Sequence, residues 1–222
     1  MSSKQHTEQN DDRRGAMLAV LRRRGIVSDT VLDAMAEVPR DLFVPEHLAE
    51  LAYEDGALPI GDGQTISQPY IVALMTEVAD IKPQSRVLEV GTGSGYSTAI
   101  LSRIAGHVFS IERHDSLAIA ARRRLGEAGY LDNVSIVVGD GTLGLPEEGP
   151  FDAIIVTAAG PRVPEALQAQ LALNGRLVMP VGSTPGAQKL TCVVRDGDSD
   201  FRTEVLATVS FVPLIGAQGW QR

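Results

Sequence analysis

The stretch Val87-Leu-Glu-Val-Gly-Thr-Gly-Ser-Gly-Tyr96 constrains the fold more than any other part of the chain. Arg86 to Val90 reads as a short buried β-strand, and Tyr96 to Ile104 as the helix that follows it. Between them, Gly91, Gly93 and Gly95 leave too little side chain to keep a ligand away. Glycine permits unusual φ/ψ and close backbone approach, and the next helix presents free N–H groups and a positive dipole end. The pattern is that of a nucleotide-cofactor loop in a doubly wound α/β sheet.

Two features decide which nucleotide. The dinucleotide fingerprint places glycine at its first, third and sixth positions, and the sixth here is Tyr96. Glu89, two residues before the first glycine, would face a pyrophosphate badly but suits a cationic amino-acid cofactor. Glu-x-Gly-x-Gly-x-Gly is the pattern of S-adenosylmethionine enzymes, whose cofactor carries a sulfonium and an α-ammonium and no phosphate. Glu112 closes the second strand, Val108 to Ile111, about 20 residues on, where a ribose-binding acid is expected. The expected cofactor contacts here are Glu89, Gly91, Thr92, Gly93, Ser94 and Glu112. A tight turn beside a surface glutamate is the plain alternative, and the agreement of glycine spacing with both acids favours the cofactor.

Along the chain, Met1 to about Asn10 is polar and unpatterned and reads as a disordered tail. Residues 11–222 read as one domain, with 11–80 a helical cap and substrate loop and 81–222 the cofactor-binding core and C-terminal strands. A helix is expected from about Asp12 to Arg24, stopped by Gly25, and a second over Val31 to Glu37 behind Ser28. Pro39 to Pro45 reads as extended, followed by a short helix over Glu46 to Leu51. Pro59 to Tyr70 carries glycines, short hydroxyls and amides just before a helix that runs to about Ala79. Ser67 or Gln68 could cap that helix, and the stretch makes a donor-rich pocket for an anion. Beyond Arg86 the expected order is strand 86–90, helix 95–105, strand 107–111, helix 115–128, strand 134–138, strand 152–157, helix 164–171 and strand 176–181. Such alternation means a mostly parallel sheet with helices on both faces, and Leu190 to Val212 adds two antiparallel strands.

Ligands of such a sheet lie beyond the carboxyl ends of its strands. The remaining loops there are Gly139-Asp140-Gly141 and Thr157-Ala-Ala159, which adds Asp140, Gly141 and Thr157 to the cofactor set. Asp140 is placed to accept from an exocyclic adenine amine, with Gly141 giving the base room. Gly-Asp-Gly as a plain turn is the competing reading.

Composition narrows the classes. The 222 residues carry a net charge of −8, against an electrostatically driven nucleic-acid binder. One cysteine, Cys192, gives neither a disulfide framework nor a zinc set, and His6, His47, His107 and His114 have no metal-site spacing, so no metal is expected. No stretch approaches ~18 apolar residues and no leader pattern opens the chain, so no membrane partner and a cytoplasmic location are expected.

Several segments together resemble the protein-L-isoaspartate (D-aspartate) O-methyltransferase family. They include Ala34-Met-Ala-Glu-Val-Pro-Arg40, Leu42-Phe-Val-Pro45, Gly63-Gln-Thr-Ile-Ser-Gln-Pro69, Val87 to Tyr96, Ser110-Ile-Glu112, Gly139-Asp-Gly141, Phe151 to Ala159, Gly175 to Gly182 and Phe211-Val-Pro-Leu214. The glycine loop alone indicates only the broad methyltransferase superfamily; the Gln-Thr-Ile-Ser-Gln-Pro and Val-Pro-Arg segments are far more specific. The resemblance implies a Rossmann-like class I S-adenosylmethionine-dependent methyltransferase. It implies that Thr65, Ile66 and Ser67, with Gln68 beside them, hold a substrate carboxylate, Ser67 being the active-site residue. The implied substrate is a polypeptide carrying L-isoaspartate or D-aspartate, methylated toward repair through a succinimide. Asp62 stands where an aromatic or His often precedes Gly-Gln-Thr-Ile-Ser. Thr142 and Leu145 stand where Tyr and Trp are common, and Gly160 replaces a usual alanine; all four bear on substrate preference rather than reaction type. Relatives in peptide natural-product pathways methylate an ordinary aspartate to give an aspartimide, which stays open as an alternative, as does a non-catalytic cofactor-binding module.

A dehydrogenase is disfavoured by Tyr96. A base methyltransferase is disfavoured by Thr157-Ala-Ala, which stands where a proline-aromatic stack would receive a flipped base.

Overall fold

The computed structural model describes residues 3–184 and 187–221. Helix α1, Ser3–Arg23, begins well before the expected Asp12, so the chain is helical where an unstructured leader to about Asn10 is expected. Its docking starts with Asn10, whose Nδ2 donates to Asp41 (3.0 Å), and Arg14, which donates to Ala36 O (2.9 Å). No proline or glycine interrupts the residues before Gly15, and a helix once nucleated extends at one hydrogen bond per residue.

Helix α2, Asp29–Glu37, buries Val31, Leu32, Ala34 and Met35, and Ser28 Oγ accepts from Val31 N as its N-cap. Glu77 reaches across from α3 (Pro69–Val78), its Oε1 accepting from Val27 N (2.9 Å) and Ser28 N (2.6 Å). Instead of an extended Pro39–Pro45 segment, the chain forms a 3-10 turn at Arg40–Phe43, and the short helix expected over Glu46–Leu51 is present as a 3-10 helix. The first turn is pulled inward by Arg40, fully buried, whose Nε donates to Ala52 O (2.7 Å) and whose guanidinium lies over the Tyr96 ring. A two-stranded hairpin, β1 (Leu58–Gly61) and β2 (Gln64–Ile66), occupies part of the stretch expected as a loop. Its reversal at Gly61-Asp62-Gly63 holds three consecutive positive φ angles, a conformation that glycine and aspartate tolerate.

The core alternates as expected: β3 Arg86–Val90, α4 Tyr96–Ile104, β4 His107–Glu112, α5 Asp115–Glu127, β5 Val134–Val138, β6 Phe151–Val156, α6 Glu165–Ala169, β7 Leu171–Val181, β8 Gln188–Arg195 and β9 Phe201–Val209. The seven strands lie in the order β5-β4-β3-β6-β7-β8-β9; the first five are parallel, and β8 and β9 are antiparallel additions. This is the Rossmann-like doubly wound sheet with antiparallel C-terminal strands. Successive strand residues divide between two cores. Val87, Ala153 and Ile155 join the cluster shared with the cap helices, α3 and α4; Leu88, Val90, Ile154 and Val156 join the cluster on the opposite face. That alternation puts Glu89 on the face of Val87, beneath α4.

Candidate active site

The principal cavity opens at the carboxyl ends of β3, β4 and β6, between the glycine loop, the β1–β2 hairpin and the segment after β9. Gly91 has φ +101°, and a Cβ there would lie 2.2 Å from Thr157 Oγ1. The Thr157 hydroxyl donates to Gly91 O (2.9 Å) and Val90 O (3.1 Å), so it braces the loop from β6. Gly95, at φ +92°, is the N-cap of α4, and its missing side chain lets Leu125 of α5 approach. The three glycines thus differ in purpose, the last serving helix packing. Gly91, Thr92, Gly93, Ser94, Glu112, Gly141 and Thr157 all line the cavity, as do Thr65, Ile66 and Ser67.

The two acids differ sharply. Glu112 Oε2 accepts from Gly93 N (2.9 Å) and its Oε1 from His114 N (3.0 Å), so the carboxylate holds the glycine loop while facing the cavity. Glu89 is fully buried beneath the loop and does not form the cavity wall. Its Oε2 accepts from Thr98 Oγ1 (2.5 Å) and Ser110 Oγ (2.6 Å), Thr92 Oγ1 bonds Ser110 Oγ (2.6 Å), and Glu89 Oε1 has no hydrogen-bond partner among the described residues. Burial pushes the Glu89 carboxyl up to about 7, against the lowering effect of the Ser110 and Thr98 hydroxyls. Both carboxyls favour a cationic ligand, one directly and one from behind the loop, which matches a sulfonium and ammonium far better than a phosphate.

At the other end, Gln68 occupies the N-cap position of α3, yet neither it nor Ser67 makes a side-chain cap bond. The free N–H of Tyr70 is taken by Asp55 Oδ1 (3.1 Å), and Gln68 Nε2 donates to Asp55 O (2.9 Å). Gln68 therefore turns to the cap and, unlike Thr65, Ile66 and Ser67, is not on the cavity wall. Ser67, half-buried on the wall, makes no side-chain hydrogen bond among the described residues.

The Gly139–Gly141 loop is tied to the segment after β9. Asp140 is the N-cap of a short 3-10 turn, Gly141–Leu143; its Oδ1 accepts from Thr142 N (2.9 Å) and Thr142 Oγ1 (2.7 Å), and its Oδ2 from Ala217 N (2.7 Å). Burial would raise its pKa, but the Ala217 and Thr142 donors outweigh that and hold the carboxyl below its ordinary value. The carboxylate accepts from two backbone amides and one hydroxyl and is not on the cavity wall. Gly141 is on it, although its small size is required by Val90 Cγ1, which a Cβ would meet at 2.3 Å. Missing from the sequence reading are Arg113 and His114, after Glu112, and Val212 to Ile215, all cavity-lining. Their only sequence signals were adjacency to Glu112 and the Phe-Val-Pro-Leu segment.

Comparison with known proteins bears on the same residues. The family model described as protein-L-isoaspartate(D-aspartate) O-methyltransferase matches residues 12–219. The chain belongs to this family. It is 56% identical to the protein-L-isoaspartate O-methyltransferase of Protochlamydia amoebophila over 198 residues, covering 89% of this chain and 94% of that protein. It is also 56% identical to the enzyme of the same name from Roseiflexus castenholzii, covering 93% and 94%. Among solved structures, a Plasmodium falciparum protein described as a putative member, in complex with S-adenosyl-L-homocysteine, superposes with TM-score 0.79 at 30% identity, covering 90% of this chain and 97% of that one. The expected fold class, methyltransferase activity and S-adenosylmethionine as cofactor are thereby borne out.

Within the family frame, the four departures fall into place physically. Asp62, at φ +51°, sits at the hairpin tip, where its Oδ2 accepts from Ser116 Oγ (2.5 Å) at the start of α5. Thr142 is fully buried, and Leu145 N donates to Gln170 Oε1 (2.8 Å). A Cβ on Gly160 would come within 2.8 Å of Arg162 O, so alanine does not fit this backbone. Among the described residues no helix is long and apolar enough to cross a membrane.

Proposed function

We infer that this chain transfers a methyl group from S-adenosylmethionine to the carboxylate of L-isoaspartyl (or D-aspartyl) residues in damaged polypeptides, the first step of repair through a succinimide. Its family membership supports the reaction. The observation that carries the site is the Ser67 hydroxyl, without a hydrogen-bond partner among the described residues, on the same cavity wall as Glu112 and the glycine loop. The cofactor, when bound, supplies an electrophilic methyl carbon on a positive sulfonium. Glu89, Gly91, Thr92, Gly93, Ser94, Glu112, Gly141 and Thr157 are assigned to its neighbourhood, with Glu112 facing the ribose hydroxyls and Glu89 acting through the field beneath the loop.

An aspartyl-type carboxyl has a pKa near ~4 and is already ionised at neutral pH, so no general base is needed. The protein's task is orientation at near-attack distance and exclusion of water. Ser67 Oγ would donate to one carboxylate oxygen, with Thr65 beside it at the end of β2. Buried Ile66, Val72 and Met75 on the wall keep water out. A hydroxyl suits this role because it orients an anion without the full neutralisation that a lysine or arginine would impose on a nucleophile.

The single buried cysteine, Cys192, supports a cytoplasmic setting, and the acidic balance supports a polypeptide substrate rather than nucleic acid or a membrane surface. The decisive assay is methyl transfer to matched peptides differing only in isoaspartate or normal aspartate. Preference for isoaspartate is expected, because its free carboxylate is one methylene closer to the peptide branch, and a misplacement of ~1 Å costs on the order of 100-fold in rate. Equal or faster methylation of normal aspartate would replace repair with aspartimide formation.

A further inference from the structure

Helix α3 starts directly after Ser67 and Gln68, and its first turn needs one acceptor from outside. Pro69, at the first helical position, has no N–H. Ile71 N and Val72 N both donate to Gln68 O (3.0 and 3.1 Å). Tyr70 N is the amide left over. Ser67 stands three residues before it, the spacing at which a serine oxygen accepts from an amide of the first helical turn. Yet Tyr70 N donates to Asp55 Oδ1 (3.1 Å), while the Ser67 hydroxyl, on the cavity wall, has no hydrogen-bond partner among the described residues.

Asp55 is held firmly for this task. It lies in the turn that leads into β1 and is not on the cavity wall. The fully buried Arg40 grips that turn on both sides of it, Nε donating to Ala52 O (2.7 Å) and Nη2 to Gly56 O (3.4 Å). Arg24 pairs with Asp55 Oδ2 and places its guanidinium 3.6 Å from the centroid of the Tyr70 ring, so one cation joins the acid to the residue it caps. Gln68 Nε2 donates to Asp55 O (2.9 Å) and ties the helix start to the same turn. An ionised acceptor binds an amide about twice as strongly as a neutral one, and the helix dipole favours it there. Asp55 therefore displaces Ser67 from the cap.

We propose that Asp55 is a positioning residue for methyl transfer: by capping α3 from a separate turn, it keeps the Ser67 hydroxyl free for the substrate carboxylate. With Asp55 removed, the stranded Tyr70 amide draws Ser67 Oγ toward the helix and away from the cavity. This role rests on the reading of Ser67 as the donor to that carboxylate.

A double-mutant cycle on the full chain tests it, read by melting temperature and by methyl transfer to an isoaspartyl peptide. In Asp55→Ala, kcat/KM should fall about tenfold, toward the Ser67→Ala value, while Kd for S-adenosylmethionine stays within about twofold. Asp55→Asn, whose side-chain carbonyl still accepts from Tyr70 N, should keep turnover within about threefold of wild type. In a Ser67→Ala background, Asp55→Ala should cost no further turnover, since no hydroxyl remains to divert. Conversely, Ser67→Ala should lower the melting temperature by about 2–4 °C in the Asp55→Ala background, where the hydroxyl has become the cap, and hardly at all in wild type. Additive losses in either measurement, wild-type turnover in Asp55→Ala, or an asparagine variant as impaired as the alanine one would each overturn the role of Asp55. If Asp55→Ala does not fold, Asp55→Ser, too short to reach Tyr70 N but a common turn former, carries the same cycle. Should the wild type ignore isoaspartyl peptides, the substrate reading fails, while the melting-temperature cycle still judges whether Asp55 keeps Ser67 out of the cap.

Discussion

At the glycine end of the cleft, Gly91, Thr92, Gly93 and Glu112 come from consecutive elements, β3 to β4, and are held by local bonds such as Gly93 N to Glu112. At the Ser67 end the wall is assembled from the β1–β2 hairpin and the start of α3, tied down through the separate turn at Asp55. The first end is shaped by backbone conformation, so changes there should disturb fold and cofactor binding together. The second presents an unbonded hydroxyl on a frame held by other residues, so a change at Ser67 should reach turnover alone.

Gly91→Ala should give the largest effect. The new Cβ meets Thr157 Oγ1 at 2.2 Å in a left-handed conformation whose strain alone costs about 1–3 kcal/mol, and the clash adds to it. Urea unfolding and cofactor titration should both register it. A stable variant with unchanged cofactor affinity would show that the loop is not shaped by this contact.

Glu89 sharpens the comparison through pH. Its pKa is raised from 4.5 to about 7, so its contribution to stability is fully present below 4.5 and lost as pH rises through 7. The span corresponds to about 3 kcal/mol at most, and the one titratable group that adds to the shift is Glu112, a like charge. Glu89→Gln cannot ionise. Its stability relative to wild type should therefore improve between pH 5 and 8 in the free protein, and improve less with saturating S-adenosylmethionine, whose positive charge favours the carboxylate. Parallel melting temperatures across that range would remove Glu89 as a titrating group.

Glu112→Ala comes next. Loss of a charge-assisted hydrogen bond should weaken cofactor affinity by about 1.5–3 kcal/mol. Because Glu112 also holds Gly93 N and His114 N, the variant should lose a little stability as well. Calorimetric titration with unchanged affinity in a folded variant would take Glu112 out of the site.

The same contrast explains what could be read from the sequence. Strand limits at β3 and β5, the glycine loop and Glu112 depend on neighbours in sequence, and local patterning exposes them. Asp140 was readable as a loop-end acid, but its partners Ala217 and Gln218 lie far along the chain, and no local pattern points to them. The β1–β2 hairpin leaves no periodic signal because its strands are only 4 and 3 residues long. Arg40 escaped its structural role for a similar reason: a lone arginine between prolines gives no sign that it will be fully buried under Tyr96.

Ser67→Ala should have the smallest effect on the molecule and a selective one on the reaction. In the structure the Ser67 hydroxyl caps nothing: Gln68 holds the N-cap position of α3, and Asp55 Oδ1 satisfies Tyr70 N. Removing it should leave the melting temperature nearly unchanged, whereas a capping serine would cost about 1 kcal/mol. It is also remote from the glycine loop in the chain and bonded to none of it, so cofactor Kd should hold. What is lost is one charge-assisted hydrogen bond to the substrate carboxylate, roughly 1.5–3 kcal/mol, or about a ten- to hundredfold fall in kcat/KM for an isoaspartyl peptide. If stability or cofactor affinity falls while turnover at saturation does not, Ser67 belongs to the frame, and the division between a backbone-built cofactor end and a side-chain-presented substrate end fails at its key residue.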